Sequence, residues 1–144
     1  EGLWDPRLNR VESITSDLEN LGVSDWSHTT KPSGAMRSYI EHLSSLGGKS
    51  DPRLIAHHYT RYLGDLSGGQ AIAALVARHY DATPDQLSFY RFEGIENLVS
   101  FKEEYRRSLD GVALSEKEHE TVITEAKMAF ARNQHVFDDL EHAA

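Results

Sequence analysis

Apolar residues recur at three- and four-residue intervals along almost all of this 144-residue chain, and nowhere do they alternate over a strand's length. Leu8, Val11, Leu18 and Leu21 predict one inward face of a helix from Pro6 to about Leu21, closed by Gly22. Met36, Tyr39, Ile40 and Leu43 predict a second helix from about Gly34 to Leu46, with Gly47-Gly48 as its stop. A third starts after Asp51 and continues, through an interruption by glycines, to about Tyr80. A short turn follows Pro84, and the next helix spans Ile95 to about Leu109, ending at Asp110-Gly111. The last opens on Ser115-Glu116-Lys117-Glu118, a capping box, and runs to about Leu140. Its Val122, Ile123, Ala126, Phe130, Val136 and Phe137 form a long apolar stripe. Asp5-Pro6, Asp51-Pro52 and Thr83-Pro84 each set a capping side chain ahead of a proline at a first helical position. The predicted fold class is all-α, one domain over 1–144, without internal repeats or low-complexity linkers.

Composition narrows the function. A formal net charge of −8 argues against a nucleic-acid binder, whose footprint is a basic surface. Cysteine is absent, which removes disulfides and thiolate chemistry. The longest purely apolar run, Ala71 to Ala77, is far too short for a membrane span, so no membrane anchor is expected. No signal peptide is visible, and a cytoplasmic location is the expectation. The chain opens on Glu1-Gly2-Leu3-Trp4 without a methionine, as a piece of a longer protein would.

Glycines supply the strongest local signal. Gly64, Gly68 and Gly69 stand inside a helical pattern, where each costs roughly 1 kcal/mol relative to alanine. Gly64 and Gly68 are four apart and share a face, which becomes a strip of bare backbone that a flat, bulky ligand can approach. Asp65 borders that strip, with Arg61 at i−4 and Tyr62 at i−3. The competing reading makes Gly64-Asp65 and Gly68-Gly69 turns between two ordinary helices, and spacing alone leaves both open. A phosphate loop is excluded, because no Lys-Ser/Thr pair follows, and a dinucleotide fingerprint is excluded because no strand precedes.

Other constellations are double-edged in the same way. Lys102 and Arg106, positive at i and i+4, read either as a clamp for an anion or as a solvated face balanced by Glu103 and Glu104. Tyr39, Tyr59, Arg61, Tyr62, Asp65 and Asn133 read either as a structural polar network or as a water-mediated proton relay. Phe130, Asn133 and Phe137 share a face of the last helix, a spacing more common in cores than in cofactor pockets. The eight histidines include no HExxH pair. Glu116-x-x-His119 and Asp139-x-x-His142 mimic di-iron ligands only loosely, and the companion glutamates are missing.

The segment Tyr59-Thr60-Arg61-Tyr62-Leu63-Gly64-Asp65-Leu66-Ser67-Gly68-Gly69-Gln70 closely resembles the signature of heme oxygenases. The likeness continues through Phe89 to Ile95, Phe101 to Arg106 and Glu125 to Asn133, and upstream through Asp5 to Arg10 and Met36 to Tyr39. It covers nearly the whole chain and is greatest with the compact bacterial members. The resemblance implies a heme oxygenase-like multi-helical bundle that uses heme as cofactor and substrate, cleaving it to biliverdin, carbon monoxide and ferrous iron. Dioxygen and an external electron donor, a ferredoxin or an NAD(P)H-dependent reductase, are implied with it. Carried over by position, Asp65 organises the distal water that protonates bound dioxygen, with Arg61, Tyr62, Tyr39 and Asn133 as its partners. Gly64, Gly68 and Gly69 approach the heme face; Lys102, Arg106 and Tyr59 hold its propionates; Phe130 and Phe137 line the pocket. The family's proximal histidine lies on a helix expected upstream of Glu1, so none of the eight histidines here is assigned to iron. The same expectation makes the chain N-terminally incomplete, with apolar surface exposed and a tendency to self-associate. A non-catalytic heme-binding or heme-sensing module is the alternative.

Overall fold

Caps written into the sequence set most element boundaries in the structure, a computed structural model that describes residues 3–143. Glu1, Gly2 and Ala144, and with them the opening of the chain, lie outside the described residues. The helices are α1 (Val11–Asn20), α2 (Trp26–Thr29), α3 (Gly34–Ser45), α4 (Arg53–His58), α5 (Gly64–Tyr80), α6 (Leu98–Asp110) and α7 (Glu116–Ala143). Three-residue 3-10 turns occupy Pro6–Leu8, Pro84–Gln86 and Ser88–Tyr90, and no strand occurs among the described residues. The fold class is all-α, as the pattern predicted.

The Ser115 amide donates to Glu118 Oε2 at 2.8 Å and the Glu118 amide donates back to Ser115 Oγ at 3.4 Å, closing the capping box that starts α7. Asp51 accepts from the Arg53 amide at 3.0 Å and opens α4. Gly22 adopts φ of +78°, the left-handed conformation that stops α1, whereas α3 is stopped by Leu46, extended at ψ 149°, with left-handed Gly48 (φ +76°) in the turn beyond it. Asp81 does the same for α5 at φ 52°.

Two boundaries differ from expectation. The first predicted helix is split, because Asn9 is extended at ψ 127° and separates the Pro6–Leu8 turn from α1. The fifth starts at Leu98 rather than Ile95, since Asn97 caps it by accepting from the Val99 and Ser100 amides at 3.0 Å. Ile95 instead lies in the preceding turn with its side chain buried. The short α2 and the Ser88–Tyr90 turn had no signal in the periodicity.

The described chain divides into two compact units, 3–29 with 62–112, and 30–61 with 113–143. The first is built on Leu8, Leu66, Phe92, Ile95 and Phe101, with Tyr62 and Leu98 packed against them. Arg10 ties this core to the backbone. Its guanidinium lies 4.1 Å from the Phe92 ring and donates to the carbonyls of Arg91 at 2.6 Å and Arg7 at 2.9 Å. The inward face expected of α1 is polar in fact: Asp17 is buried and accepts the amides of Ser88 and Phe89, each at 2.8 Å, and the Ser88 hydroxyl. Val11 and Leu21, expected inside, are exposed, because it is this carboxylate that docks α1. The second unit packs α3 and α4 on α7, where Ala56 and Ala129 are fully buried and allow close helix approach.

Candidate functional site

The glycines of the signature do not form turns. Arg53 to Tyr80 is one helical run whose middle, Tyr59–Leu63, widens into a π turn, and Gly64 begins α5 directly after it. π turns are uncommon and concentrate where a helix is shaped for function. Here the widening falls on the first five residues of the signature.

The three glycines then separate by environment. A Cβ on Gly69 would stand 3.5 Å from the Tyr90 ring, so Gly69 is a packing glycine, held further by Gln70 donating to the Tyr90 carbonyl at 2.9 Å. A Cβ on Gly64 or Gly68 would meet nothing within 4 Å. Neither shows the left-handed φ that would demand glycine. The bare strip is real, and no packing against the described residues accounts for it. Asp65, half-buried, lies in the first turn of α5 beside it. In the same unit, burial together with Asp65 and Asp17 pushes the Tyr90 phenol above its ordinary range. Lys102 is half-buried and Arg106 exposed on α6. Among the described residues neither forms an ion pair with Glu103 or Glu104.

The second unit holds the remaining polar residues. Arg61 donates to Asn133 Oδ1 at 3.2 Å, and Asn133 donates to the Ala129 carbonyl at 3.0 Å, which fixes the amide against α7. The Tyr39 hydroxyl is 2.9 Å from His57 Nδ1, with the Arg132 guanidinium 6.0 Å from the centre of the Tyr39 ring. Burial raises the Tyr39 phenol above its ordinary value, Arg61 and Arg132 oppose this, and Glu125 adds to it. Tyr59 is exposed on the π turn. Phe130 and Phe137, exposed by 59% and 66%, share a row with Ile123, itself 57% exposed, at seven-residue spacing on α7. The predicted stripe is therefore two faces: Glu125 and Ala129 turn inward, while this apolar row is uncovered by the described residues.

One cluster had no sequence signal. His42 of α3, His57 of α4 and Glu125 of α7 converge, with His57 Nε2 2.8 Å from Glu125 Oε1 and His42 Nε2 in contact with the same oxygen. Glu125 and His57 are buried and His42 nearly so. Burial pushes the Glu125 carboxyl up, but the two imidazole hydrogen bonds outweigh it and leave the group below its ordinary value. Residues 42, 57 and 125 have no fixed spacing to search for, and only packing of three helices brings them together.

Comparison with known proteins gives these arrangements a context. The family model for heme oxygenase matches residues 1–139. Heme oxygenase from Porphyra purpurea is 37% identical over 134 residues, 92% of this chain and 57% of that protein. Rabbit (Oryctolagus cuniculus) heme oxygenase 2 is 35% identical over 94% of this chain and 44% of its own length. The crystal structure of heme oxygenase-1 from the cyanobacterium Synechocystis, in complex with heme, superposes with a TM-score of 0.92 at 32% identity, covering 99% of this chain and 64% of that one. The chain thus spans about half the length of the curated relatives it matches. The signature on its π-widened helix, the all-α architecture and the whole-chain match together place this chain in the heme oxygenase family.

Proposed function

We propose that this chain forms the distal side of a heme-degrading monooxygenase. The observation that carries the reading is the pair Gly64 and Gly68, two helical glycines with open space where a side chain would stand. A flat macrocycle laid on bare backbone is the kind of ligand that gives such a strip a use. Heme, when bound, supplies iron for dioxygen activation and is itself the substrate, leaving as biliverdin, carbon monoxide and ferrous iron.

In this reading the chain binds, orients and delivers protons. Lys102 Nζ and the Arg106 guanidinium, uncompensated on α6, hold the propionates, with the Tyr59 hydroxyl as a further donor. Phe130 and Phe137 give the apolar row against which the macrocycle edge packs. The Asp65 carboxylate orders water and moves protons toward the reacting oxygen, and Arg61, Tyr62, Tyr39 and Asn133 are the further donors and acceptors assigned to the relay. No histidine of this chain is assigned to the iron. Electrons come from a ferredoxin or an NAD(P)H-dependent reductase. Among the described residues no helix is long and apolar enough to cross a membrane.

The test is turnover by the protein expressed from its complete reading frame, with hemin, dioxygen and a reductase. Appearance of the biliverdin absorption band as the heme band decays is the expected result. Heme that stays bound and intact under the same conditions would make the protein a heme-binding module and end the catalytic reading.

A further inference from the structure

We propose that His42, His57 and Glu125 form a binding site for a divalent transition-metal ion of the zinc class, joining α3 and α4 to α7. The site goes beyond the function proposed above and does not depend on heme. Both imidazoles approach through Nε2 and meet at one carboxylate oxygen: His57 Nε2 lies 2.8 Å from Glu125 Oε1, and His42 Nε2 contacts the same atom. The three donor atoms all lie within 4.8 Å of one another. The two rings meet edge-on, with centroids 5.7 Å apart at 60°, so they converge at their nitrogens rather than stack. Zinc bonds of about 2.0–2.1 Å in a tetrahedral set hold neighbouring donors about 3.3 Å apart. Opening the His57–Glu125 contact by about half an ångström reaches that spacing. Two imidazoles with one carboxylate suit zinc or ferrous iron and disfavour magnesium and calcium, and they leave a fourth position for water.

Three features set this cluster apart from histidines and acids that merely meet at a surface. It is shielded, with the Glu125 side chain 6% exposed, that of His57 9% and that of His42 16%, whereas the His28–Asp25 pair stands open to solvent. Its outer shell is in place: the second nitrogen of His57, Nδ1, lies 2.9 Å from the Tyr39 hydroxyl. With metal on Nε2, Nδ1–H donates to that hydroxyl and fixes the ring. Without metal, Nε2–H donates to Glu125 and the Tyr39 hydroxyl donates to Nδ1, so a change of tautomer converts one state to the other with no change of charge on the ring. Finally, no arginine occupies the carboxylate, because Arg53, whose charge reaches Glu125, is paired with Asp51 at 2.6 Å. Among the described residues no other group of three histidine, aspartate or glutamate side chains converges in this way.

The experiment is titration of the chelator-stripped, heme-free full chain with zinc, cobalt, magnesium and, under nitrogen, ferrous iron. One equivalent of zinc should bind, move the ring-nitrogen NMR shifts of both His42 and His57, and raise the melting temperature. Cobalt should give the visible bands of a four-coordinate ion, ferrous iron should compete with zinc for the same nitrogens, and magnesium should do none of this. His42→Gln removes one donor and Tyr39→Phe only the outer-shell acceptor; each should lower zinc affinity by at least about tenfold with the helical content unchanged. A folded wild type that binds no zinc, a folded His42→Gln that binds it as tightly, or zinc that moves only the shifts of other histidines would overturn the site. A wild type that forms biliverdin but binds no zinc sinks the metal site alone; one that binds zinc and forms no biliverdin sinks the catalytic reading alone.

Discussion

At Gly64 and Gly68 the helix omits side chains although the described residues leave room for them. Each glycine in a helix interior costs roughly 0.5–1 kcal/mol through backbone entropy, and here the loss has no packing counterpart, unlike that at Gly69. Gly68→Ala should therefore raise the unfolding free energy of the heme-free chain by about 0.5–1 kcal/mol in urea titrations, and at the same time weaken hemin binding. A variant that is more stable and binds hemin as before would show that the strip serves something other than a ligand. Asp65 tests the chemistry instead. Asp65→Ala should leave hemin affinity within a few-fold of wild type while biliverdin formation falls roughly 100-fold, the size of a lost general acid contribution. Undiminished biliverdin yield would remove the carboxylate from its assigned role. The glycine spacing and its neighbouring acid were both legible in the sequence, because four-residue spacing on a helix translates directly into a shared face. What that face meets was not legible, since a Cβ's surroundings are set by residues far away in the chain.

Helix ends were the most readable features at the level of elements, and helix faces the least. Ser115 with Glu118 and the left-handed Gly22 act through backbone within a few residues, so local sequence determines them. The π turn at Tyr59–Leu63 has no such code, because the same residues close an α turn as readily. The face of α1 was misjudged for a different reason: its docking group is a carboxylate, and hydrophobic periodicity cannot see it. Asp17→Ala would strand the amides of Ser88 and Phe89, and should destabilise the chain by about 2–3 kcal/mol with the loss visible as a lower urea midpoint. Glu125 is the matching case on α7. Its carboxyl is held below the ordinary glutamate value, so its contribution to stability is complete at pH above that ordinary value and fades as pH falls through the lowered one. Glu125→Gln should cost about 1–3 kcal/mol at neutral pH, and the melting-temperature gap to wild type should narrow in acid. A gap that widened in acid would mean the carboxylate is not the stabilising form.

For the molecule as a whole, the apolar row Ile123, Phe130 and Phe137 on α7 is more than half exposed while the formal net charge is −8. Charge opposes association and the row favours it. Sedimentation of the heme-free chain should show concentration-dependent association that strengthens with added salt, as repulsion is screened, and that is lost in Phe130→Ser/Phe137→Ser. A monomer at every concentration and salt level would show that the row is too small to drive self-contact.

The bare strip on α5 also bears on how long the protein lasts. A ligand that binds only the folded chain stabilises it by about 2.7 kcal/mol at a hundred times its dissociation constant, and proteolysis draws on the unfolded fraction. On the function proposed above, a helix weakened by two glycines is steadied by the molecule that the protein degrades. Each round of catalysis returns it to its more perishable form, so its abundance would follow heme supply without any change in its synthesis.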